Sequence, residues 1–231
     1  MKINGIQKMT LLDYPGRVAC VIFTGVCDFR CPFCHNSELL DGTAPEVMTR
    51  DELIAFLKTR TALLDGVVIT GGEPLIDRSV KELLRDIKSL GYDIKIDTNG
   101  NHPELLKEIV AEGLADYVAM DIKNSPERYA VTAGIENPAW DISRVRESVE
   151  LLKEGHVAYE FRTTVCEQLH DIDSFRVIGP WLEGAEAYYL QPFVDRDTVK
   201  YDGFTAPSDV QLDEYCDTLR PFVPSVSVRG R

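Results

Sequence analysis

The 231 residues predict an α/β fold, a mostly parallel sheet with helices outside that is either open and doubly wound or curled into a complete or partial barrel. One observation establishes the α/β class, a second points to a single domain and a third favours the barrel. Short β-branched runs alternate with amphipathic helical segments about six times from Val18 onward, and such alternation requires parallel pairing through right-handed crossovers. Neither a linker nor a low-complexity tract interrupts the pattern, so one domain over residues 1–231 is expected, with a core at about 18–193 and a C-terminal helix and tail over 194–231. Strand after strand turns polar at its C-terminal end, as in a barrel whose mouth carries the site.

The expected strands are VACVIFT at 18–24, GVVIT at 66–70, YDIKIDT at 92–98, DYVAMDIK at 116–123, VAYEFRTTV at 157–165 and EAYYLQPF at 186–193. Between them, the apolar spacing predicts helices over 51–60, 79–91, 103–113 and 142–155, a weaker one near 171–182, and a last one near 208–220. Thr49 with Glu52, and Ser208 with Gln211, have the spacing of capping boxes. Gly91, Gly113 and Gly155 stand just past helical patterns, where a left-handed residue ends a helix. Polar residues then gather at the strand ends: Gly71, Gly72, Glu73 and Pro74 after the second, Asp97, Thr98, Asn99 and Gly100 after the third, Asp121 and Lys123 at the fourth, Arg162 and Thr163 in the fifth, and Gln191 late in the sixth. The polar stretch 194–208 is long enough to be a functional loop.

Composition limits the partners. A formal net charge of -13 argues against nucleic acid and against an anionic membrane surface, both of which want clustered cations. No apolar run reaches the roughly 20 residues of a membrane span, and a cytoplasmic location is expected. Thiols stay reduced there, so the six cysteines read as ligands, catalytic groups or small buried hydrophobes rather than disulfides. Cys20, Cys166 and Cys216 stand far apart in apolar or helical contexts and read as structural.

Cys27, Cys31 and Cys34 are different, since they share one short loop, TGVCDFRCPFCHN at 24–36. A structural zinc site usually takes four ligands as two pairs, and no second CxxC exists. CPFCH at 31–35 matches a haem-attachment pentapeptide, which belongs with exported proteins and leaves Cys27 unexplained. A thioredoxin-like CxxC pair leaves Cys27 idle as well. A 4Fe-4S cluster held at three corners uses all three thiolates and leaves one iron open to another ligand.

CxxxCxxC directly after the first predicted strand, with Phe33 before the last cysteine and GGEP at 71–74 one helix later, resembles the signature of the radical S-adenosylmethionine (SAM) superfamily. LLDYPGR at 11–17, FRCPFCHN at 29–36, IDTNG at 96–100, YVAMDIK at 117–123, YEFRTTV at 159–165 and YLQPF at 189–193 are similar, more narrowly, to the glycyl-radical-enzyme activases. The likeness is strongest to those of anaerobic ribonucleoside-triphosphate reductase. One departure is visible, Val26 before Cys27 where that family commonly has glycine.

The resemblance implies a partial (β/α)6 TIM-like barrel of the radical SAM type, with parallel strands and outer helices, in which Cys27, Cys31 and Cys34 hold the cluster and SAM chelates the free iron. It implies reductive cleavage of SAM to methionine and a 5'-deoxyadenosyl radical, which takes a hydrogen atom from a glycine of the partner enzyme. Gly71, Gly72 and Glu73 are then expected at the SAM amino group, and Phe33, His35 and Asn36 beside the cluster and adenine. Asp97, Thr98, Asn99, Asp121, Lys123, Arg162 and Gln191 are expected at its ribose, carboxylate or amino end, with Asp97 and Asp121 open to sharing a cation. Asp13 is expected to meet the incoming glycine loop. No second cysteine cluster is present, so an external flavodoxin or ferredoxin is the expected electron donor. Activation of another glycyl radical enzyme, of the pyruvate formate-lyase type, or radical chemistry on a small molecule remain alternatives at this point, as does, more distantly, a non-catalytic zinc or thiol-redox module.

Overall fold

The computed structural model describes residues 1–230. Eight strands form one sheet in which spatial order follows chain order. They are β1 (Ile3–Thr10), β2 (Ala19–Thr24), β3 (Gly66–Gly71), β4 (Asp93–Thr98), β5 (Tyr117–Asp121), β6 (Ala158–Val165), β7 (Ala187–Pro192) and β8 (Ser225–Val228). β1 runs antiparallel to β2, and every later pair is parallel. The crossovers carry α1 (Arg50–Lys58), α2 (Val80–Ser89), α3 (Pro103–Ala111), the short α4 (Tyr129–Thr132), α5 (Ser143–Lys153), α6 (Ile172–Trp181) and α7 (Asp209–Leu219).

The two expected capping boxes form, at Thr49/Glu52 and Ser208/Gln211, with both reciprocal bonds present. Gly91, Gly113 and Gly155 take positive φ just past α2, α3 and α5. The six expected strands and six expected helices therefore stand within a few residues of their sequence positions. β1 and β8 were not expected, and they border the sheet on its two sides.

Strand alternation sends side chains to two separate faces. Cys20, Ile22, Val67, Ile69, Ile94, Ile96, Val118, Met120, Phe161 and Leu190 pack under the helices in the main core. The other face lines a lumen, whose floor is Tyr14, Ala19, Val21 and Val68 with Phe23 and Tyr117 against them. Tyr14 comes from the loop between β1 and β2 and lies 6.0 Å, ring to ring, from Tyr117. In a flat sheet, β2 and β7 would stand about 24 Å apart, five steps of roughly 4.8 Å. Yet Phe193, just past β7, stacks on His35 of the loop after β2 at 5.5 Å. The sheet is therefore curled into an open barrel, with the ends of β2 through β7 gathered around one mouth. Among the described residues, no helix is long and apolar enough to cross a membrane.

Candidate active site

The cysteine loop is fixed to β3 by backbone alone. Gly72 N–H donates to Thr24 O and Glu73 N–H to Val26 O, each at 2.8 Å, so the chain after β2 and the GGEP turn run as one zipped edge. The approach leaves no room for side chains: a Cβ on Gly71 would stand 2.4 Å from Thr24 backbone atoms, and one on Gly72 would stand 2.0 Å from Val26 O. Gly71 also has φ +118, which glycine alone adopts without strain.

Val26 has φ 67, the left-handed region that disfavours a β-branched residue. This is where the resembled family commonly has glycine, so the backbone path is kept and the side chain bears the strain. Val26 is 41% exposed and contributes little packing. Val26→Gly is expected to raise stability by about 1 kcal/mol, an upward shift of about 2–4 °C in a thermal melt of a chain this size.

A cleft open to solvent lies at the barrel mouth. Cys27, Cys31 and Cys34 line it together with Phe33, His35 and Asn36 from the same loop. Gly71 and Gly72 line the β3 side, Asp97, Thr98 and Asn99 the end of β4, and Asp121 and Lys123 the end of β5. Phe29, Leu40 and Thr164 complete the wall. Among the described residues, no three His, Cys, Asp or Glu side chains converge as a single ion requires. A lone zinc would draw thiolates to roughly 3.8 Å of one another, given bonds of about 2.3 Å, whereas a cubane spreads them over its corners.

The donor set is soft, and burial keeps it protonated when no metal is bound. Burial pushes the Cys31 thiol up to about 11 and raises Cys27 and Cys34 as well. Iron binding must therefore displace protons, as it does at any thiolate site. Cys27 Sγ accepts the Phe29 N–H at 3.4 Å and lies 3.8 Å from Asn99 Nδ2. The adjacent Asp28 receives Asn99 Nδ2 at 2.8 Å and Asn101 Nδ2 at 2.6 Å, with His102 Nε2 3.1 Å away. Burial alone would raise the Asp28 pKa, but His102, Asn101 and Asn99 outweigh it and bring the group to about 2.

The charged wall is internally paired. Arg162 Nη2 is 2.9 Å from Asp121 Oδ1 and its Nη1 is 3.4 Å from Asp97 Oδ2. Lys123 Nζ donates to Asp121 Oδ2 at 2.9 Å, and the buried Lys95 bonds Asp97. Burial opposes charge on Asp121, yet Arg162 and Lys123 bring its pKa down to about 2. Burial likewise opposes charge on Lys123, and Asp121 more than offsets it. The guanidinium of Arg162 thus bridges Asp97 and Asp121. Arg162 braces the wall from behind and does not line the cleft.

Three further expected site residues stand elsewhere. Glu73 is buried, and its carboxylate accepts Leu75 N–H at 2.9 Å, Thr98 Oγ1–H at 2.9 Å and Asn99 N–H at 2.7 Å. It ties the β3 and β4 ends together beneath the cleft and does not point into it; burial raises its pKa to about 7 against those bonds. Gln191, late in β7, is outside the cleft wall, which Thr164 provides at the same level of β6. Asp13 lies past Thr10, which pairs with the first residue of β2. It accepts the Thr10 hydroxyl at 2.5 Å, at the floor end of the barrel. The mouth is about 20 Å away along β2, six residues at about 3.3 Å each, so Asp13 belongs to the turn that seats Tyr14.

The stretch 194–208 closes over the cysteine loop. His35 Nε2–H donates to Val194 O at 2.7 Å, which fixes the tautomer, and Ser37 Oγ–H donates to Thr198 O at 2.6 Å. Phe33 meets Phe204 edge to face at 6.4 Å, with Cys166 and Phe193 buried beside it. Asn36 Nδ2 donates to Gly71 O at 3.0 Å, joining this loop to the glycine turn.

An open α/β barrel with three thiols, a glycine turn and paired charges around one mouth defines a class of enzyme that holds a metal cluster against a nucleotide. The chain belongs to the radical SAM superfamily, whose family model matches residues 21–165. Members of this superfamily use a 4Fe-4S cluster and SAM, and the thiol loop, glycine cradle and half-buried carboxylates here suit both. The chain is 29% identical over 98% of its length to a Methanocaldococcus jannaschii protein named for glycyl-radical enzyme activation, covering 95% of that protein. It is 33% identical over 53% of its length to the pyruvate formate-lyase-activating enzyme of Clostridium pasteurianum, covering 52% of that protein. The crystal structure of a radical SAM methyltransferase from Sphaerobacter thermophilus superposes on 96% of this chain and 68% of its own, with TM-score 0.75 and 16% identity.

Proposed function

We propose that this protein is a glycyl-radical-enzyme activating enzyme, acting as one domain over its whole length, whose partner is an anaerobic ribonucleoside-triphosphate reductase. The observation that carries the reading is that the CxxxCxxC thiols and the two glycines of the GGEP turn line one cleft with the carboxylates of β4 and β5. Its likeness along almost the full chain to a protein named for glycyl-radical enzyme activation supports the activase part.

Cys27, Cys31 and Cys34 hold the cluster. When bound, the cluster would supply the one-electron reduction of SAM on which hydrogen-atom removal from a glycine of the partner depends. The protein contributes position and exclusion of water. Gly71 and Gly72 bring bare backbone to the cleft, so their carbonyl side receives the SAM ammonium. Lys123 faces the SAM carboxylate while Asp121 holds that lysine charged, Arg162 anchors Asp121 from behind, and Asp97, Thr98 and Asn99 present acceptors and donors to the ribose and amino groups. His35 and Asn36, pinned to Val194 O and Gly71 O, form the adenine side with Phe33. Phe29, Leu40 and the covering stretch 194–208 shield the reacting centre.

Cys20, Cys166 and Cys216 are buried and none of them lines the cleft, which supports an external donor, a flavodoxin or ferredoxin, in the cytoplasm. The likeness to the C. pasteurianum enzyme favours a second target of the pyruvate formate-lyase type. Reconstituted protein, SAM and a reductant are to be mixed separately with a purified anaerobic reductase and a pyruvate formate-lyase, then read by electron paramagnetic resonance. A glycyl-radical doublet on the reductase is the expected result. A doublet on the lyase alone reassigns the partner, and deoxyadenosine release with no doublet on either overturns activation as the function.

A further inference from the structure

Glu160 is fully buried in the middle of β6 on the lumen face, and the cleft above it makes no use of it. A buried carboxylate is tolerated only when it is paired and hydrogen-bonded. Tyr117 Oη–H donates to it at 2.8 Å, but the charge partner comes from the far end of the chain. Arg229, the residue after β8, donates Nη1–H to Glu160 Oε1 at 2.6 Å and Nη2–H to Oε2 at 2.8 Å. Its guanidinium lies 3.9 Å over the Tyr189 ring, and its own N–H donates to Leu190 O at 2.9 Å. The group is thus held on three sides. Two residues along the same face of β6 stands Arg162, the bridge between Asp97 and Asp121.

We propose that Arg229 is a positioning residue for the nucleotide site: by saturating Glu160 it leaves Arg162 committed to Asp97 and Asp121, which keeps the carboxylate wall of the cleft in place. This rests on the roles assigned above to those two aspartates. With Arg229 gone, Glu160 retains only a phenol, and Lys95 is already engaged by Asp97. Arg162 then turns down the strand toward Glu160 and gives up Asp97 first, its longer contact at 3.4 Å. Arg229 lies outside residues 21–165, so the chain's tail adds this brace to the family's core.

Arg229→Met keeps the length and apolar stem while removing the charge. In anaerobically reconstituted holoprotein it is expected to raise the SAM dissociation constant about tenfold by equilibrium dialysis, within the range of outer-shell effects, with iron and sulfide content unchanged. The double variant E160Q/R229M removes the unpaired carboxylate and is expected to return binding to within about twofold of wild type. A tail contact that merely stabilises the fold predicts a double variant no tighter than the single. That result, or unchanged SAM binding in R229M, overturns the proposal. Should R229M not fold, Arg229→Lys, which keeps the charge but loses the two-pronged pairing, is expected to bind SAM with intermediate affinity, and wild-type affinity there overturns it equally. The relay is also visible without cofactors: the Arg162 Nε–H resonance shifts in the metal-free R229M protein and returns in the double variant, and an unmoved resonance counts against it. A wild-type protein that binds no SAM overturns the function proposed above, while the resonance still decides the role of Arg229.

Discussion

Cys31→Ser protein, loaded anaerobically with iron and sulfide, is expected to lack the sulfur-to-iron charge-transfer absorption of the wild type and to cleave SAM more than about a hundredfold more slowly, beyond the 10- to 100-fold typical of outer-shell changes. A serine hydroxyl is a hard ligand with a far higher pKa than a thiol, and iron-sulfur clusters select soft thiolates. The site offers it little help. Burial already pushes the Cys31 thiol up to about 11, and the positive charge of Lys123 only partly opposes this. Two remaining thiolates, Cys27 and Cys34, cannot wrap three corners of a cubane. The control is Cys20→Ala: Cys20 packs in the main core on the opposite face of β2, so this variant is expected to lose some stability and keep its iron. Iron content and SAM cleavage at wild-type levels in Cys31→Ser would remove the cysteine loop from the chemistry.

Gly72→Ala is expected to destabilise the protein by about 3 kcal/mol or more, at the upper end of single-substitution effects, which lowers the melting temperature by about 6–12 °C. The added methyl would stand 2.0 Å from Val26 O, a backbone atom with no rotamer to change. Relief requires breaking the paired bonds from Gly72 to Thr24 and from Glu73 to Val26. The same displacement moves Cys27, so iron uptake should fall together with stability. A circular-dichroism melt coincident with wild type would show that the zipped edge is looser than its distances imply.

The parallel core was legible because each unit carries local signals that agree: β-branched strands, capping boxes at Thr49 and Ser208, and glycines at 91, 113 and 155 where helices end. β1 was not, because INGIQKMT pairs at the border of the sheet with Gln7, Lys8 and Met9 exposed, and its alternation is too weak to separate from a loop. β8 spans only four residues, SVSV. The cleft residues were legible from spacing and resemblance, but their facing was set by cross-strand register. Glu73 follows two cleft-lining glycines and still turns away, because Thr98 and Asn99 of the neighbouring strand end supply donors beneath it. Asp13 reads as part of a motif, and the unforeseen antiparallel β1 carries it to the barrel floor. Lys95 and Glu160 gave no signal of burial, since what permits a charge there comes from Asp97 two residues on and from Arg229 nearly seventy residues on.

The covering stretch beyond β7 is held largely through its main chain. His35 and Ser37 bond the carbonyls of Val194 and Thr198, and Glu167 N–H bonds the carbonyl of Thr205 at 2.9 Å. Every residue type offers that acceptor. Apart from Val199, Phe204 and Thr205, whose side chains pack or bond beneath, sequence drift along this segment can therefore remodel what an approaching macromolecule meets, in shape and in charge, without unfastening the segment from the cysteine loop. A single scaffold can acquire new clients by editing one ribbon of its surface while the reactive centre beneath is left untouched.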